Sequence, residues 1–377
     1  MEVNNQIIIV GGGLAGLVSA IHLSKNGFCV TLIDKNEFPR HKVCGEYVSN
    51  ETLPYLDWLG VHPSVLKPTE IDQLVFSTGS GKTISETLPL GGFGISRFVF
   101  DHFLYQKAME QKCKVVIETV VAIDFFENEF SVRLSDNSIL KASIVIGAFG
   151  KRSNIDQKLQ RGFILKKSPW LAVKGHYKGD FPDHVVGLHN FKGGYCGVSK
   201  VENNIINICY LADFETFKKY KNIEDYQKNV LYENPVLKEI FEKSTPVFEK
   251  PLTISQISFD KKNCIDNHIL MVGDTAGLIH PLCGNGMAMA IHSAKIVSEW
   301  VTKYLNHEIS SREVLENKYR KDWNKQFSKR LKTGRFLGRL LQHQQLSELL
   351  IRSLAWFPAL MPVIIRQTHG KPLIITQ

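Results

Sequence analysis

The stretch from residue 7 to residue 34 constrains the fold of this chain more than any other. It begins with Ile7-Ile8-Ile9-Val10, a short β-branched run typical of a buried parallel strand. A glycine-rich turn follows, then a helical apolar pattern over residues 14–25, then a second apolar strand over residues 30–33. Strand, turn, helix and strand in this order predict an α/β fold with a parallel sheet.

The glycine turn has the spacing G-x-G-x-x-G, with Gly11, Gly13 and Gly16 at the three positions. Gly11 permits a tight turn, Gly13 lets a pyrophosphate approach the backbone, and Gly16 lets the helix pack closely on the strand. The helix N-terminus supplies free N–H groups to the phosphates. Asp34, at the end of the second strand, is placed to accept hydrogen bonds from a ribose. The sequence therefore predicts a dinucleotide site.

Composition describes an ordinary globular protein that forms two structural units, with a net charge of +9 over 377 residues. The basic residues are scattered and no nucleic-acid motif is present, so we predict no nucleic-acid partner. Basic residues are denser towards the C-terminus, which leaves contact with an anionic membrane open. The helical, basic region from residue 310 and the apolar residues 354–366 predict a packing helix, a lid over the substrate cavity or a membrane-surface segment.

The seven cysteines have irregular spacing and no C-x-x-C, which predicts no zinc or other metal site and a reducing, cytoplasmic location. The apolar N-terminal run is too short for a secretion signal. No segment reaches the roughly 18 to 20 apolar residues that span a bilayer. We therefore expect a cytoplasmic protein, either soluble or peripheral to the membrane.

A specific resemblance begins after Asp34. The residues Arg40-His41-Lys42-Val43-Cys44-Gly45-Glu46 form R-x-K-x-C-G-E, and with the glycine turn this resembles the geranylgeranyl-reductase branch of the FAD enzymes. That branch shares a Rossmann-like FAD-binding fold, of the glutathione reductase/p-hydroxybenzoate hydroxylase type, with the aromatic-ring hydroxylases (group A flavin monooxygenases) and the flavin-dependent halogenases. The resemblance implies that Asp34 holds the adenosine ribose and that Arg40 lies near FAD. It also implies that the Cys44–Glu46 loop passes beside the isoalloxazine ring. The alternative for Cys44 is a small buried residue in a tight loop.

Two further segments carry the resemblance. Ser96-Arg97, with Asp101 four residues later, resembles the point where the family chain re-enters the FAD domain. There the arginine approaches the phosphates; the alternative for Arg97 is a surface salt bridge. A strand over residues 269–272 leads into Gly273-Asp274, a proline and a Gly-x-Gly helix start at Gly286, which resembles the family's second FAD motif. A helix starting there would stabilise negative charge at the pyrimidine end of a reduced flavin.

The resemblance implies a set of residues in contact with FAD. They are Gly11, Gly13, Leu14, Ala15, Gly16, Asp34, Lys35, Arg40, Cys44, Gly45, Arg97, Val121, Gly150, Gly273, Asp274, Gly277, Pro281, Gly284, Gly286 and Met287. Phe149 stands where the aromatic hydroxylases carry an aspartate, which weakens the case for direct hydride transfer from NAD(P)H. No second G-x-G-x-x-G unit is present, so we expect NAD(P)H or an electron-transfer protein as a transient donor.

Three residues near the expected ring are catalytic candidates: Cys44, His280 and Cys283. His280 could donate a proton because its unperturbed pKa lies near neutrality, or it could be a satisfied loop residue. Cys44 and Cys283 could form a redox pair.

The intervening sequence predicts a second, sheet-rich domain. Residues 71–90 read as a hairpin, and residues 170–211 read as an antiparallel meander with a turn at Glu202-Asn203-Asn204. We predict one sheet face lined for substrate by Trp170, Phe191, Tyr195 and Tyr210, although these residues could be plain core.

The predicted division is an FAD domain of residues 1–70, 97–158 and 258–308, a substrate domain of residues 71–96 and 159–257, and a C-terminal helical region, 309–377. Other expected elements are strands at 115–123, 130–134 and 141–147 and helices at 49–59, 100–112 and 217–241, the last broken near Asn234-Pro235.

Two enzymatic functions remain open on this basis. Reduced FAD could reduce carbon–carbon double bonds of a prenyl or polyene lipid, or could use oxygen to hydroxylate or epoxidise an aromatic, polyketide or polyene substrate. A third possibility is a non-catalytic FAD electron-transfer protein. The halogenases' W-x-W-x-I-P signature is missing from the sequence, which argues against halogenation.

Overall fold

The computed structural model describes residues 6–342 and 370–375. Its strands, in chain order, are β1 (Gln6–Val10), β2 (Cys29–Asp34), β3 (Tyr47–Ser49), β4 (Thr69–Ser77), β5 (Thr83–Gly94), β6 (Lys114–Ile117), β7 (Val120–Phe126), β8 (Glu129–Leu134), β9 (Ile139–Ala142), β10 (Ile144–Gly147), β11 (Trp170–Gly179), β12 (Val185–Phe191), β13 (Gly194–Val201), β14 (Ile205–Asp213), β15 (Ser244–Pro246), β16 (Leu252–Ser255), β17 (Ile265–Asp266) and β18 (Ile269–Met271). The α-helices are α1 (Leu14–Lys25), α2 (Leu53–Trp58), α3 (Arg97–Glu110), α4 (Asn154–Lys158), α5 (Phe214–Phe217), α6 (Ile223–Asn229), α7 (Pro235–Glu242), α8 (Gly286–Leu305) and α9 (Arg312–Gln342). The predicted apolar segment 354–366 lies outside the described residues.

A six-stranded sheet is the centre of the first layer, in the order β17-β18-β10-β1-β2-β6. All its pairs are parallel except β17 with β18. Strand β1 lies between β2 and β10, and Ile7, Ile8 and Ile9 are fully buried. The β-branched run therefore forms the buried parallel strand that the sequence predicts, and the α/β fold class is confirmed.

A larger sheet forms the second layer, with the path β15-β11-β14-β13-β12-β4-β5-β3 and β16 paired with β11. The predicted hairpin over residues 71–90 is confirmed as β4 and β5. The predicted simple meander is wrong in one respect: β11 pairs with β14 and not with β12. The neighbour of β12 is instead β4, in a parallel pair. The first hairpin occupies the edge that a meander would leave for β11.

Several predicted element boundaries are wrong for identifiable reasons. The predicted strands 115–123 and 141–147 are each divided between the first sheet and a separate three-stranded sheet, β7-β8-β9, because the chain leaves the first sheet at Glu118 and enters it at Ser143. The helix predicted from residue 100 begins at Arg97, because the Ser96 hydroxyl caps it by accepting from Val99 N at 3.2 Å. Residues 49–59 begin with a 3₁₀ turn before α2. Over residues 217–241 the predicted break near Asn234-Pro235 is confirmed, since α7 begins at Pro235, and a further break separates α5 from α6.

The helices cover the first sheet and join it to the second. Helix α1 packs against α3 and α8, and α8 packs against α9, in one continuous apolar core with the six-stranded sheet. No helix within the described ranges is both long and apolar enough to cross a membrane. The division into an FAD domain, a substrate domain and a C-terminal region at the predicted residue limits stays a prediction.

Candidate functional site

The glycine turn after β1 is tightly packed where the sequence predicts. Gly11 has a φ of +110°, and its N–H donates to Ile33 O at 2.7 Å. A Cβ on Gly11 would lie 2.3 Å from Ala148 O, and a Cβ on Gly16 would lie 1.9 Å from Gly11 O. Both positions therefore exclude any side chain, because the atoms they would meet are backbone.

Gly13 differs, because space is open around it. An added Cβ would meet only Arg97 Nη2 at 3.8 Å and Lys42 Nζ at 3.9 Å. Helix α1 begins at the next residue, and no side chain caps its first N–H groups. An open space beside a helix N-terminus, with two cationic groups facing it, suits a pyrophosphate. The residues present therefore fit the dinucleotide that the sequence predicts.

The two cations are held by one buried carboxylate. Asp101, which is fully buried, accepts from Arg97 Nε at 2.7 Å, from Arg97 Nη2 at 2.8 Å and from Lys42 Nζ at 2.8 Å. Burial would raise the pKa of Asp101, but Arg97 and Lys42 outweigh burial and hold it below its usual range. Burial lowers the pKa of Lys42 despite the Asp101 charge. One carboxylate for two cations leaves net positive charge at the open space beside Gly13.

Asp34 lies at the end of β2, with its carboxylate turned towards the glycine loop. Its Oδ2 accepts from Gly12 N at 2.6 Å and contacts Arg40 Nη2 at 2.7 Å. The Arg40 guanidinium also donates to Asn36 O at 2.7 Å, while the adjacent Lys35 is exposed. The structure therefore places Arg40 directly beside Asp34, where the resemblance expects the adenosine ribose.

The second predicted motif meets the first across the ends of the parallel strands. Gly273 N donates to Ser293 Oγ on α8 at 2.8 Å, and a Cβ on Gly273 would lie 3.0 Å from the Ala15 side chain. Gly150 N donates to Thr275 Oγ1 at 2.7 Å. The predicted segments around Ala15, Gly150 and Gly273 therefore converge at one edge of the sheet, as expected for ligands of open α/β sheets.

Lys262, which no sequence motif marks, holds these loops together. Its Nζ donates to Lys151 O and to Asp274 O, both at 2.9 Å, and lies 4.2 Å from the centroid of the Phe163 ring. Burial lowers the pKa of Lys262 to about 8, although the Asp274 charge opposes the shift. Lys262 is distinguished by donating to two backbone carbonyl groups and to no carboxylate. These contacts form only in the folded chain, so the sequence could not have indicated them.

The remaining residues that were predicted to contact FAD lie outside the glycine turn and its immediate partners. Gly277 faces α9, because a Cβ there would lie 2.9 Å from the Trp323 ring. Gly284, with a φ of +61°, and Gly286 lead into α8, whose N-terminus has no side-chain cap at Asn285, and Met287 is buried in the first turn. Leu14 is buried, Pro281 is exposed and Val121 lies in β7. The contacts of these residues with FAD stay predictions.

The Cys44–Glu46 loop ends in a buried ionic cluster that the sequence analysis missed. The Glu46 side chain is fully buried, accepts from Lys174 Nζ and from Arg97 N at 2.7 Å, and contacts His176 Nε2 at 2.7 Å. Lys174 is also fully buried, and its Nζ donates to Lys42 O at 3.1 Å. We call Glu46, Lys174 and His176 the buried ionic cluster. It ties the loop to β11 of the large sheet.

Burial of the Glu46 charge and the positive φ of Glu46 are both unfavourable, so the contacts within this cluster must compensate for them. Burial would raise the pKa of Glu46, but the hydrogen bond with His176 and the Lys174 charge outweigh burial and lower it. Glu46 has a φ of +54°, which a non-glycine residue adopts only under outside constraint. His176 packs on His41 with ring centroids 5.2 Å apart, and burial beside His176 lowers the pKa of His41 to about 4.

The cysteines are all free, and the two candidates have different surroundings. Cys44 is half-buried, its carbonyl accepts from Asn207 Nδ2 at 3.3 Å, and its thiol interacts with the Arg97 guanidinium. Cys283 is buried, and burial raises its pKa to about 12. The thiol that interacts electrostatically with Cys44 is Cys209 on β14. The Cys44–Cys283 redox pair stays a hypothesis.

His280 lies in an aromatic box. Its ring centroid is 4.6 Å from that of Phe259, 5.5 Å from that of Tyr195 and 6.1 Å from that of Trp170. Neither ring nitrogen has a hydrogen-bond partner among the described residues. Burial lowers the pKa of His280 to about 4, so the ring is uncharged at neutral pH. This value differs from the unperturbed pKa on which the proton-donor prediction rested, because the ring is buried, and the catalytic role of His280 stays a prediction.

Replacing His280 by phenylalanine will flatten the dependence of stability on acid pH. The folded pKa of about 4 lies below the ordinary 6.5, so between these values the unfolded state binds more protons and stability falls as the pH falls. At about pH 5 the variant should gain about 2 kcal/mol relative to the wild type, compared with about pH 7.5, measured by urea unfolding. Replacing the exposed His184 by glutamine should leave the wild-type dependence unchanged. An unaltered dependence in the His280 variant would contradict the pKa assignment.

The four predicted substrate residues do not share one face of the large sheet. Trp170 and Tyr195 lie in one apolar cluster with Leu211 and Leu278, whereas Phe191 and Tyr210 lie in another with Tyr226. The register explains the separation: Trp170 is opposite Asp213, so Tyr210 is opposite Val173 and points to the other face. The prediction of one shared face is therefore wrong for Phe191 and Tyr210, which pack against α6 and its neighbours.

We call the face that carries Trp170, Lys174, His176, Tyr195 and Leu211 the FAD-side face. Its two halves differ in chemistry. Lys174 and His176 contact the Cys44–Glu46 loop, and Trp170, Tyr195 and Leu211 pack towards Leu278 and His280. The face therefore presents a charged half and an aromatic half to the loops that converge at the dinucleotide site.

Comparison with known proteins identifies the cofactor. Residues 4–315 match the family model described as FAD binding domain. Tryptophan 2-halogenase of Chondromyces crocatus is 22% identical over 334 residues, an alignment that covers 83% of this chain and 64% of that protein. Digeranylgeranylglycerophospholipid reductase 1 of Methanosphaera stadtmanae is 26% identical over 335 residues, covering 84% of this chain and 79% of that protein.

Solved structures of flavin-dependent enzymes have the same fold. The solved structure of the flavin-dependent brominase Bmp2 superposes with a TM-score of 0.79 at 15% identity, covering 96% of this chain and 92% of that chain. The Rossmann-like FAD-binding fold with an antiparallel-sheet second layer is thereby confirmed. The family match spans both glycine motifs and both sheets. This chain therefore belongs to the FAD binding domain family and is an FAD-dependent oxidoreductase.

Proposed function

We propose that this enzyme reduces carbon–carbon double bonds of a large apolar substrate, such as a prenyl or polyene lipid. The observation that carries the proposal is the aromatic half of the FAD-side face, formed by Trp170, Tyr195 and Leu211 beside His280. Bound and reduced FAD supplies the electrons for such a reaction. The chain's own residues supply binding, orientation and the exclusion of water.

Apolar binding follows from the side chains on this face. Tryptophan, tyrosine and leucine offer a surface to an alkyl or polyene chain without requiring polar groups from it. His280, uncharged at neutral pH, adds a polar atom without adding a buried charge. Together these residues favour a hydrophobic substrate over a charged metabolite.

The charged half of the face has a separate role. The buried ionic cluster fixes the end of the Cys44–Glu46 loop, and the Cys44 thiol interacts with Arg97. A loop fixed in this way holds one wall of the reaction space in a constant position relative to the glycine turn. NAD(P)H or an electron-transfer protein is proposed as the donor of electrons to FAD.

A monooxygenase acting on an aromatic, polyketide or polyene substrate is the second candidate. The rings of Trp170, Phe259 and His280 favour it, because they would pack against an aromatic substrate as well as against a polyene. The names of the archaeal relatives support reduction of a prenyl lipid. The lack of W-x-W-x-I-P argues against the activity for which the first relative is named.

Anaerobic turnover separates the candidates. The purified flavoprotein is reduced with dithionite and mixed with geranylgeraniol without oxygen, while the flavin absorbance and the mass of the product are followed. A reductase reoxidises its flavin and adds two hydrogen atoms to the alcohol. A monooxygenase requires oxygen, consumes more of it with substrate and adds one oxygen atom. If geranylgeraniol changes the rate of flavin reoxidation neither without oxygen nor with it, both proposals are contradicted. That result supports the non-catalytic electron-transfer protein.

Replacing Tyr195 by leucine should raise the KM for the apolar substrate about tenfold and leave the fold intact, because its ring lies on the FAD-side face. Tyr210 provides the matched control, since it is equally aromatic and buried on the opposite face. Its leucine variant should lower the unfolding midpoint in urea and leave KM unchanged. Equal KM values for the two variants would remove the FAD-side face from substrate binding.

A further inference from the structure

The outer side of α9 carries a line of lysines. Lys318, Lys321, Lys325, Lys329 and Lys332 follow one another at intervals of three or four residues and are all exposed. Residues at these intervals lie along one side of a helix. We call these five residues the lysine stripe. The next position in the same series is Phe336, with 64% of its surface exposed.

None of these lysines forms an ion pair within the part of the chain that the structure describes. Five lysines on or beside other helices instead pair with a glutamate three or four positions away: Lys107–Glu110, Lys218–Glu215, Lys238–Glu242, Lys243–Glu239 and Lys295–Glu299. Helix α9 has no acidic residue from position 323 to position 342. Asp322, which lies beside Lys318 and Lys325 at helical spacing, is the acidic neighbour of the stripe, and its carboxylate accepts from Trp300 Nε1 at 2.9 Å. Five lysines beside one carboxylate leave the stripe with a net positive charge.

Such an arrangement opposes helix formation. Lys321, Lys325 and Lys329 are successive like charges at i, i+4 spacing, which destabilises a helix. Only the inner side of α9 compensates, with Tyr319, Trp323, Phe327 and Leu331 buried against the core. An anionic partner on the outer side would turn the repulsion into attraction.

The inner side of α9 rests on the loop that contains His280. A Cβ on Gly334 would lie 3.2 Å from Cys283 Sγ, and a Cβ on Gly338 would lie 2.5 Å from His280 Nε2. Trp323 approaches Gly277 in the same loop. The lysine stripe and the aromatic box of the site therefore lie on opposite sides of α9.

We propose that the lysine stripe docks this enzyme on a membrane surface rich in anionic phospholipid. The positive charges of the lysines are complementary to the negative charges of anionic phospholipid headgroups, and each lysine adds to the attraction near such a surface. The exposed Phe336 ring at the end of the stripe gives an apolar group that enters the headgroup region. If the proposed apolar substrate is correct, docking here brings α9 and the site to the membrane that holds it.

Vesicle sedimentation tests the proposal with the FAD-loaded protein and no substrate. The wild type should bind vesicles of phosphatidylcholine with one third phosphatidylglycerol, should not bind phosphatidylcholine alone, and should be released by salt. Replacing all five stripe lysines by glutamine should weaken binding by at least about 100-fold. Phe336→Ser alone should weaken it by about tenfold while keeping the charge.

A matched variant removes five lysines elsewhere on the exposed surface: Lys82, Lys167, Lys219, Lys221 and Lys228. Its binding should stay within about threefold of the wild type. Unchanged FAD content in every variant establishes that the fold is intact. Absence of wild-type binding to anionic vesicles, or equal losses in the two five-lysine variants, overturns the proposal. Because neither result depends on turnover, this failure is distinguishable from failure of the proposed reduction.

Discussion

Alanine at Gly13 will leave the protein folded and remove its FAD, whereas alanine at Gly16 will prevent folding. A Cβ at Gly13 enters the open space beside Arg97 and Lys42, where the pyrophosphate is expected, and touches no backbone. We expect the dissociation constant for FAD to rise at least about 100-fold, because the phosphates lose their close approach to the N-terminus of α1. Circular dichroism of the FAD-free protein should match that of the wild type.

The Gly16 variant is the contrast, with the same added methyl group three residues away. Its Cβ would lie 1.9 Å from Gly11 O, so helix α1 and the turn could not both keep their positions. We expect insoluble protein or a lost unfolding transition. Full FAD binding by the Gly13 variant would show that the phosphates lie elsewhere. A stable Gly16 variant would contradict the close packing of α1 on β1.

Glutamine at Glu46 will destabilise the protein by about 3 to 5 kcal/mol, because it leaves the buried Lys174 ammonium without a counter-charge. The measurement is urea unfolding at neutral pH, with the FAD dissociation constant measured beside it. Lys174→Met should be similarly destabilising, since it leaves the carboxylate. The double variant should lose less than the sum of the two, because it removes both charges together.

An exposed pair on α7 provides the control for charge removal itself. Glu239 contacts Lys243 Nζ at 2.6 Å, with both side chains more than 60% exposed. Its glutamine variant should unfold at the wild-type midpoint, since exposed ion pairs contribute little. If the Glu46 and Glu239 variants are equally stable, the buried ionic cluster does not hold the Cys44–Glu46 loop.

The two glycine motifs were predictable because each element in them is local. Strand β1, the turn and α1 lie within one short stretch, and the residue types at Gly11, Gly13 and Gly16 are dictated by contacts inside it. Helix α8 begins at Gly286, as predicted, for the same reason. In these segments sequence spacing determines spatial position almost directly.

The buried ionic cluster could not be predicted because its members come from distant segments. Glu46 and Lys174 meet only when β11 packs over the loop, and no local pattern records that contact. One weak signal was present: Lys174 and His176 alternate along the strand after a run of apolar residues, on the side shared with Trp170. Two polar residues at buried strand positions indicate a partner without identifying it.

The error over Phe191 and Tyr210 has a related cause. Alternation along a strand shows which residues share a face within that strand, but the register between strands assigns the faces of one strand relative to another. That register is a property of pairs such as Val173 with Tyr210, which the sequence does not display. Aromatic content therefore predicted an apolar sheet surface, but not which aromatic residues share one face of it.

The order of strands in the first sheet has a consequence for synthesis. Ile8 in β1 pairs with Val145 in β10, and Ile146 in β10 pairs with Leu270 in β18. On a ribosome that adds about 5 to 20 residues per second, these partners appear on the order of tens of seconds after β1 has emerged. During that interval the three isoleucines of β1 have β2 on one side but lack β10, the strand that later lies on the other. We therefore expect expression at reduced temperature to raise the yield of folded flavoprotein.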